Sequence, residues 1–481
     1  MARSVVFRII PPIDTYPSCV DLAQKITGKV LMIVVFSFGL FLHTSTWFYT
    51  SSVIAVMTFL PQFRPLLLVV AAFGGLLRGR WLPDFAYLTK GDFVLPGGVF
   101  FKPLIVLAVL VLFAIYYRAV RQGKGRWLGL RPIRNLLVGY VVLIVLVAQL
   151  PSPSPLAVVL WAFVIVFGKY LWFFNYALLD RNAKDTAPLV VQTGHFLPFW
   201  GGSIAPFPKG AAYLRKIEAK TPAELAVCQL KGIKLLYWAL VLTVLQRLLG
   251  QVFYGSPGDS YLGISFSLVI PSFSAVLHGN PINPYPWHLN WSALVASFFM
   301  KLVGFSVWGH GIIASCRMAG YNALRNTYSP LRSVTIAEFW NRYYYYFKEL
   351  LVENFFYPAF LRYWKKTPRL RLFFATMAAA GFGNVLFHFL RDIEVIIERG
   401  PWDAFLSFHV YMFYGVILGT AIGLSQIFEN KNRQEMSWLR KNIINPFLVV
   451  GFYCILSIFD DPDRSLTIYD NFAFLLRLFT F

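Results

Sequence analysis

His388 stands in the run AAAGFGNVLFHFLRD (378–392), an ionisable imidazole among small and apolar residues. In a helix, residues three and four apart are neighbours on one face. Gly381, Asn384, His388 and Arg391 or Asp392 therefore form a polar or small stripe on an apolar helix. Asn384, one turn before His388, is placed to hold one ring nitrogen and so fix the tautomer. Gly381 and Gly383 would let another helix, or a ligand chain, come close to the backbone. A neutral imidazole in a dry site suits general-base work, taking a proton from an attacking hydroxyl. The competing reading is a histidine that bonds a neighbouring helix and only holds the bundle together. Ionisable groups at membrane depth are costly and usually functional, which favours chemistry.

Two further stretches could carry chemistry. In SVTIAEFWNRYYYYFKELLVENFFYP (333–358), Ser333 or Thr335 ahead of Glu338 is a helix-start signature, and Glu338 precedes Arg342 by four residues, a favourable ion-pair spacing. An interfacial amphipathic helix with an aromatic belt would account for the tyrosines equally well. QTGHFLPFWGGSIAPFPKG (192–210) is too rich in Pro and Gly for a regular span. It reads as an irregular loop at the cytoplasmic surface, or as one dipping into the bilayer under a cover of protein; as a plain connector it would leave His195 exposed. The remaining signals are thin. GFGNVL is not a dinucleotide fingerprint, no phosphate loop ending in GKS or GKT is present, and His278 and His288 have no acidic or Cys companions. His43, His310 and His409 read as helix-packing residues. Cys19, Cys228, Cys316 and Cys454 are far apart with no CxxC, so neither a disulfide framework nor a zinc site is supported, and no bound metal or cofactor is expected.

The elements that must position these residues are transmembrane helices. The chain of 481 residues is 57% hydrophobic and only 14% charged, well outside the soluble globular range. Its apolar runs lack period-2 alternation, which indicates helices rather than a β-barrel. Spans are expected at about 29–49, 52–77 (broken at Pro61 and Pro65), 101–118, 135–150, 156–179, 233–254, 289–315, 371–390, 403–428 and 443–459, with a weaker segment at 262–278: an all-α polytopic membrane protein of ten to eleven spans plus re-entrant or interfacial helices. The first of them is too long for a signal-peptide core and reads as a retained span.

The net charge of +22 sits in short loops beside apolar runs, which argues for topology and against nucleic acid. The segment 118–134 carries Arg118, Arg121, Lys124, Arg126, Arg131 and Arg134 without an acid, so it belongs in the cytoplasm. Counting spans from there puts 180–232, 316–370 and 429–442 inside as well. Each is basic: Lys209, Arg215, Lys216 and Lys220; Arg362, Lys365, Lys366 and Arg369; Lys431, Arg433, Arg440 and Lys441. The acidic segment 460–470 falls outside. Arg78 and Arg80 ask for an inside position, whereas the count leaves their loop outside unless 52–77 is one re-entrant element. No internal repeat or soluble appendage is visible, so 1–481 reads as a single membrane domain.

In order and spacing, the three stretches resemble the membrane-bound O-acyltransferase family, most closely its bacterial branch of alginate O-acetyltransferases and the D-alanyl transfer protein of teichoic acid. The residues carrying the likeness are FLPFWGGSIAP (196–206) followed by LRKI (214–217), SVTIAEFWNRYY (333–344) and VLFHF (385–389), within a core of about 190–430. The resemblance implies that His388 is the catalytic histidine, with Asn384 and Tyr344 beside it as orienting or oxyanion-side groups and Glu338, Trp340, Asn341, Arg342 and Gly381 in the substrate-binding surroundings. Two departures stand out. Tyr344 occupies the position of a second His, Asn or Asp, so that either its hydroxyl or Asn341 substitutes or the chain is a divergent member with altered chemistry; and Phe389 replaces a Gly. The implied reaction moves an acyl group, acetyl first, from a cytoplasmic donor such as acyl-CoA to a hydroxyl of a cell-envelope or secreted polysaccharide, at the bacterial inner membrane and alongside polysaccharide biosynthesis or export proteins. The competing class is a carrier or flippase for a lipid-linked glycan or small molecule, with His388 as a proton relay; no repeated halves support it. A membrane glycosyltransferase would lean on Asp84 and Asp92, the only early acids in plausible loops.

Overall fold

A backbone inside hydrocarbon must satisfy its own polar groups, and this chain does so with helices. The computed structural model describes residues 10–79, 88, 98–123, 129–151, 154–182, 187–202, 204–256, 258–279, 284–428, 436–460 and 464–480. Arg80, Asp84, Asp92, Lys124, Arg126, Lys431 and Arg433 lie outside the described residues. Among the described residues, eight helices are long and apolar enough to cross a bilayer: Ile26–His43, Phe100–Arg121, Pro155–Asn182, Pro222–Tyr254, Trp287–Met318, Pro368–Arg391, His409–Ile427 and Arg440–Phe459. The chain is an all-α, multi-pass membrane protein.

The span expected at 135–150 is the shorter apolar helix Pro132–Val147. The one expected at 52–77 is a pair, Trp47–Phe59 and Pro61–Leu77, bent by 112°. Leu60 leaves helical geometry at the corner, as a residue before proline tends to do. The arms fold back on each other: the Tyr49 hydroxyl donates to the Ala71 carbonyl, and the Arg78 guanidinium lies 5.5 Å from the centre of the Tyr49 ring. The pair is thus sharply bent, as a broken span or a re-entrant element would be.

Three expectations need correction. The segment 262–278 is no span; only Phe273–His278 is helical, and the N–H groups of Leu268 and Ile270 donate to Val252 and Phe253 carbonyls as a strap along the preceding helix. The span placed at 403–428 starts at His409, because Ile393–Ser407 is a separate helix kinked at Gly400 (φ 79°) ahead of Pro401. The stretch 316–370, expected as one cytoplasmic connection, contains a continuous helix over 345–362 that lies antiparallel against Pro368–Arg391. Phe347 meets Phe387 (4.6 Å between ring centres), Phe355 meets Phe382 (6.1 Å) and Tyr363 meets Phe374 (5.4 Å). Lys348, Glu349 and Glu353 lower its hydropathy and hide it from a composition reading.

Each of these two helices carries a π-helical turn, Val352–Phe356 and Met377–Gly383, and the turns face each other, with the Phe355 ring in the space that a Cβ on Gly383 would fill. Such turns are rare and concentrate at functional sites. On its other side Pro368–Arg391 packs on His409–Ile427 through glycines. A Cβ on Gly419 would stand 3.0 Å from the Gly381 backbone nitrogen and 2.9 Å from Met377 Sδ. Backbone cannot yield as a flexible side chain can, so Gly419→Leu is expected to cost about 1–3 kcal/mol, the usual range for overpacking. A lowered thermal midpoint in detergent would show it; an unchanged midpoint would mean that the helices do not touch there.

Candidate functional site

The stripe Gly381, Asn384 and His388 does share one face, and that face is covered by His409–Ile427. Gly381 is spent on helix packing: a Cβ there would meet the Gly415 carbonyl oxygen at 3.3 Å. It therefore serves the helix contact rather than a ligand chain. One and two turns further on, Asn384 and His388 both meet Tyr411. The Tyr411 hydroxyl donates to Asn384 Oδ1 at 3.4 Å, and the Tyr411 and His388 rings lie 4.7 Å apart. Phe347 closes the imidazole from another side at 5.8 Å, and Phe387 packs on Phe347 and on Trp172.

Asn384 does not hold the imidazole as its spacing suggested. Its oxygen is taken by Tyr411, while its Nδ2 and the His388 Nδ1 are both buried without a hydrogen-bond partner. Tyr411 is the residue that sequence reasoning missed. The run HVYMFYG offers no signal beyond aromatic packing, and the contact bridges 27 positions between different helices.

The last members of the stripe pair with each other: Arg391 binds Asp392 through Nε at 2.6 Å and a second nitrogen at 3.2 Å. Arg464, from the segment that the charge count places outside, also contacts Asp392 and lays its guanidinium 3.3 Å from the centre of the Phe408 ring. An ionic clasp thus closes the His388 end of the helix, and Arg464 had no role in the sequence reading.

The second stretch is built as its caps predict, and its position differs from expectation. Thr335 accepts from the Glu338 N–H at 3.1 Å, the Glu338 carboxylate accepts from the Val334 N–H at 3.0 Å, and Arg342 pairs with Glu338 at 2.7 Å. Glu338 and Arg342 therefore hold their own helix, Ile336–Tyr343. That helix breaks at Tyr344, and the segment before it takes up the freed backbone: the Tyr328 N–H donates to the Arg342 carbonyl, the Thr327 hydroxyl to the Tyr343 carbonyl, and the Tyr345 N–H to the Asn326 carbonyl. Tyr344 packs among Phe207, Phe305 and Phe347. Phe347 stands between Tyr344 (5.2 Å) and His388 (5.8 Å), so the tyrosine reaches the imidazole's neighbourhood through one ring. Trp340 joins the same cluster, 6.0 Å from Phe347. Asn341 is exposed, on the side of its helix away from buried Phe339, and is not placed to act for Tyr344.

The third stretch takes the covered alternative. Leu197, Phe199, Trp200 and Phe207 are buried, and the Trp200 indole donates to the Phe207 carbonyl at 2.8 Å. His195 is buried too, contrary to the exposed connector; burial, and then the neighbouring Arg215, hold its pKa down at about 4, so the ring is neutral at pH 7. The stretch ends at Lys209, whose ammonium is shared by Glu353 at 2.7 Å and Glu349; Glu349 also contacts Lys348. This largely buried cluster ties the loop to the helix that carries Phe347.

Among the described residues no group of three His, Cys, Asp or Glu side chains could hold a metal ion. The four cysteines are free thiols. The site is thus an aromatic box around one imidazole, where the three stretches converge. No protein-family model matches the chain, and no curated protein matches it.

Proposed function

We propose that the protein is a membrane-embedded O-acyltransferase with His388 as general base. One observation carries the reading: two buried polar atoms, His388 Nδ1 and Asn384 Nδ2, stand one helical turn apart without a partner. Most buried side-chain polar atoms are satisfied; other orphans occur in this chain, both amide atoms of Asn175 among them, and this pair is the one that includes the imidazole of the aromatic box. A ring nitrogen that accepts and an amide N–H that donates are the two groups required when a hydroxyl attacks a carbonyl. The alcohol oxygen bonds to the acyl carbon, its proton passes to His388, and the oxyanion is met by Asn384. Collapse expels the thiolate of the donor, which takes the proton back. Tyr411 positions Asn384 by holding its oxygen, which leaves the amide N–H groups to donate, and the surrounding rings keep water away.

The donor in this proposal is an acyl-CoA, acetyl-CoA first, drawn by the basic cytoplasmic segments. The acceptor is a hydroxyl of an envelope or secreted polysaccharide, brought to the outer face of a bacterial inner membrane by polysaccharide biosynthesis or export proteins. These finer assignments extend the sequence resemblance. His388 stands three residues from the end of Pro368–Arg391, beneath the contact between Asp392 and Arg464, and that end is the side from which the acceptor arrives in this proposal.

Purified protein in lipid nanodiscs, given acetyl-CoA labelled in the acetyl group and a bacterial exopolysaccharide, is expected to release free CoA and transfer label to the glycan. A carrier or flippase would leave acetyl-CoA intact, and that outcome across a panel of exopolysaccharides would overturn the proposal.

A further inference from the structure

Away from His388, the end of Ile26–His43, the first turn of Trp47–Phe59, the loop at 200–202 and the helix Trp287–Met318 line a half-open cavity of about 240 Å³. Trp200 and Trp308 form part of its wall, with His43, Thr46, Thr50 and Ser315 among the polar residues. Among the described residues no charged side chain lines it. Gly311 fixes the aim of the histidine, since the His43 ring occupies the space that a Cβ on Gly311 would need. Gly201, at φ 91°, lets the chain after Trp200 curl round the opening.

Empty protein cavities are apolar, whereas polar ones hold water or a ligand. This one has room for roughly eight waters at ~30 Å³ each, the bulk of a single sugar ring. Its groups match such a ring. Indole faces are electron-rich and attract the C–H edges of a saturated ring, while imidazole and hydroxyl groups both donate and accept to ring hydroxyls. His43 and the indole N–H of Trp308 make no hydrogen bond to any described residue, so both are available. A charged ligand would enter without compensation, and a lipid tail would strand the polar wall.

From this juxtaposition we infer that the cavity walled by Trp200, Trp308 and His43 is a binding site for a neutral, hydroxylated ligand the size of one sugar ring. The site shares no lining residue with the box around His388, so it stands whether or not acyl transfer is the reaction.

The test is saturation-transfer NMR on the full chain in lipid nanodiscs, free of sugar detergents. The probes are an equimolar mixture of methyl glucoside, methyl galactoside and methyl mannoside, with cyclohexanemethanol as an apolar probe of similar size. At least one glycoside should receive saturation through its ring C–H protons. Trp308→Leu should reduce that signal by about tenfold or more, as loss of a central aromatic anchor does. Gly202→Leu should abolish it while leaving the thermal midpoint unchanged, because a Cβ on Gly202 meets nothing within 4 Å and its side chain would enter the cavity. No transfer to any glycoside in the wild type, or equal transfer in both variants, would overturn the inference. So would a stronger, Gly202→Leu-sensitive signal from cyclohexanemethanol, which would mark the cavity as an apolar one.

Discussion

If the proposed acyl transfer is the reaction, His388→Ala is expected to lower it by about 100- to 10,000-fold, the contribution usual for a positioned general acid or base. That corresponds to roughly 3–5 kcal/mol of barrier. The effect should fall on kcat, since the proton is taken only as the bond to the acyl carbon forms. Alanine also empties space among Phe347, Phe387 and Tyr411, so a fall in activity has to be separated from a fall in stability. His388→Gln makes the separation: it keeps most of the volume and a hydrogen-bonding end but has no basic nitrogen. Both variants should remain folded in membranes, judged by size-exclusion profile and thermal midpoint, and both should be inactive. Full activity in His388→Gln would remove the base assignment and leave the imidazole as a packing group.

The second large effect is structural. Lys209→Met should destabilise the protein by about 3 kcal/mol, the lower end of the range for breaking a buried ion pair. The lower end applies because the Lys209, Glu349 and Glu353 side chains retain 13%, 17% and 25% of their exposure. Removal of the ammonium leaves two carboxylates close together with Lys348 as the remaining cation on one of them. Charge left without a partner causes the loss, so adding Glu353→Gln to Lys209→Met should recover part of the thermal midpoint. A double variant as unstable as the single one would show that the loss does not come from the Glu353 carboxylate left without its partner but from other contacts of Lys209, such as its ammonium over the Tyr213 ring at 5.4 Å. Because the cluster joins the 196–210 loop to the helix bearing Phe347, Lys209→Met should also loosen the aromatic box and lower activity along with stability.

Sequence alone determined what is local in space. Apolar runs too long for a soluble core required helices, because a helix satisfies its backbone within its own residues; of the ten main spans expected, eight have counterparts long and apolar enough to cross a bilayer, one is the bent pair Trp47–Phe59 and Pro61–Leu77, and one is the shorter helix Pro132–Val147. The cap at Thr335 and the Glu338–Arg342 pair were legible for the same reason: both lie within one or two turns. The stripe Gly381, Asn384, His388 was legible as a face. Tertiary structure alone decided what covers that face. Tyr411 reaches Asn384 from 27 residues away, Arg464 reaches Asp392 from 72, and Lys209 reaches Glu353 from 144. Periodicity records which side of a helix is buried and says nothing about which helix buries it. The helix over 345–362 was hidden for a related reason: its charges count against burial in a composition, and only the fold shows that Lys209 neutralises Glu349 and Glu353 across a long-range contact. The orphaned nitrogens of Asn384 and His388 belong to the same class, because a missing partner can be recognised only when every neighbour is in place.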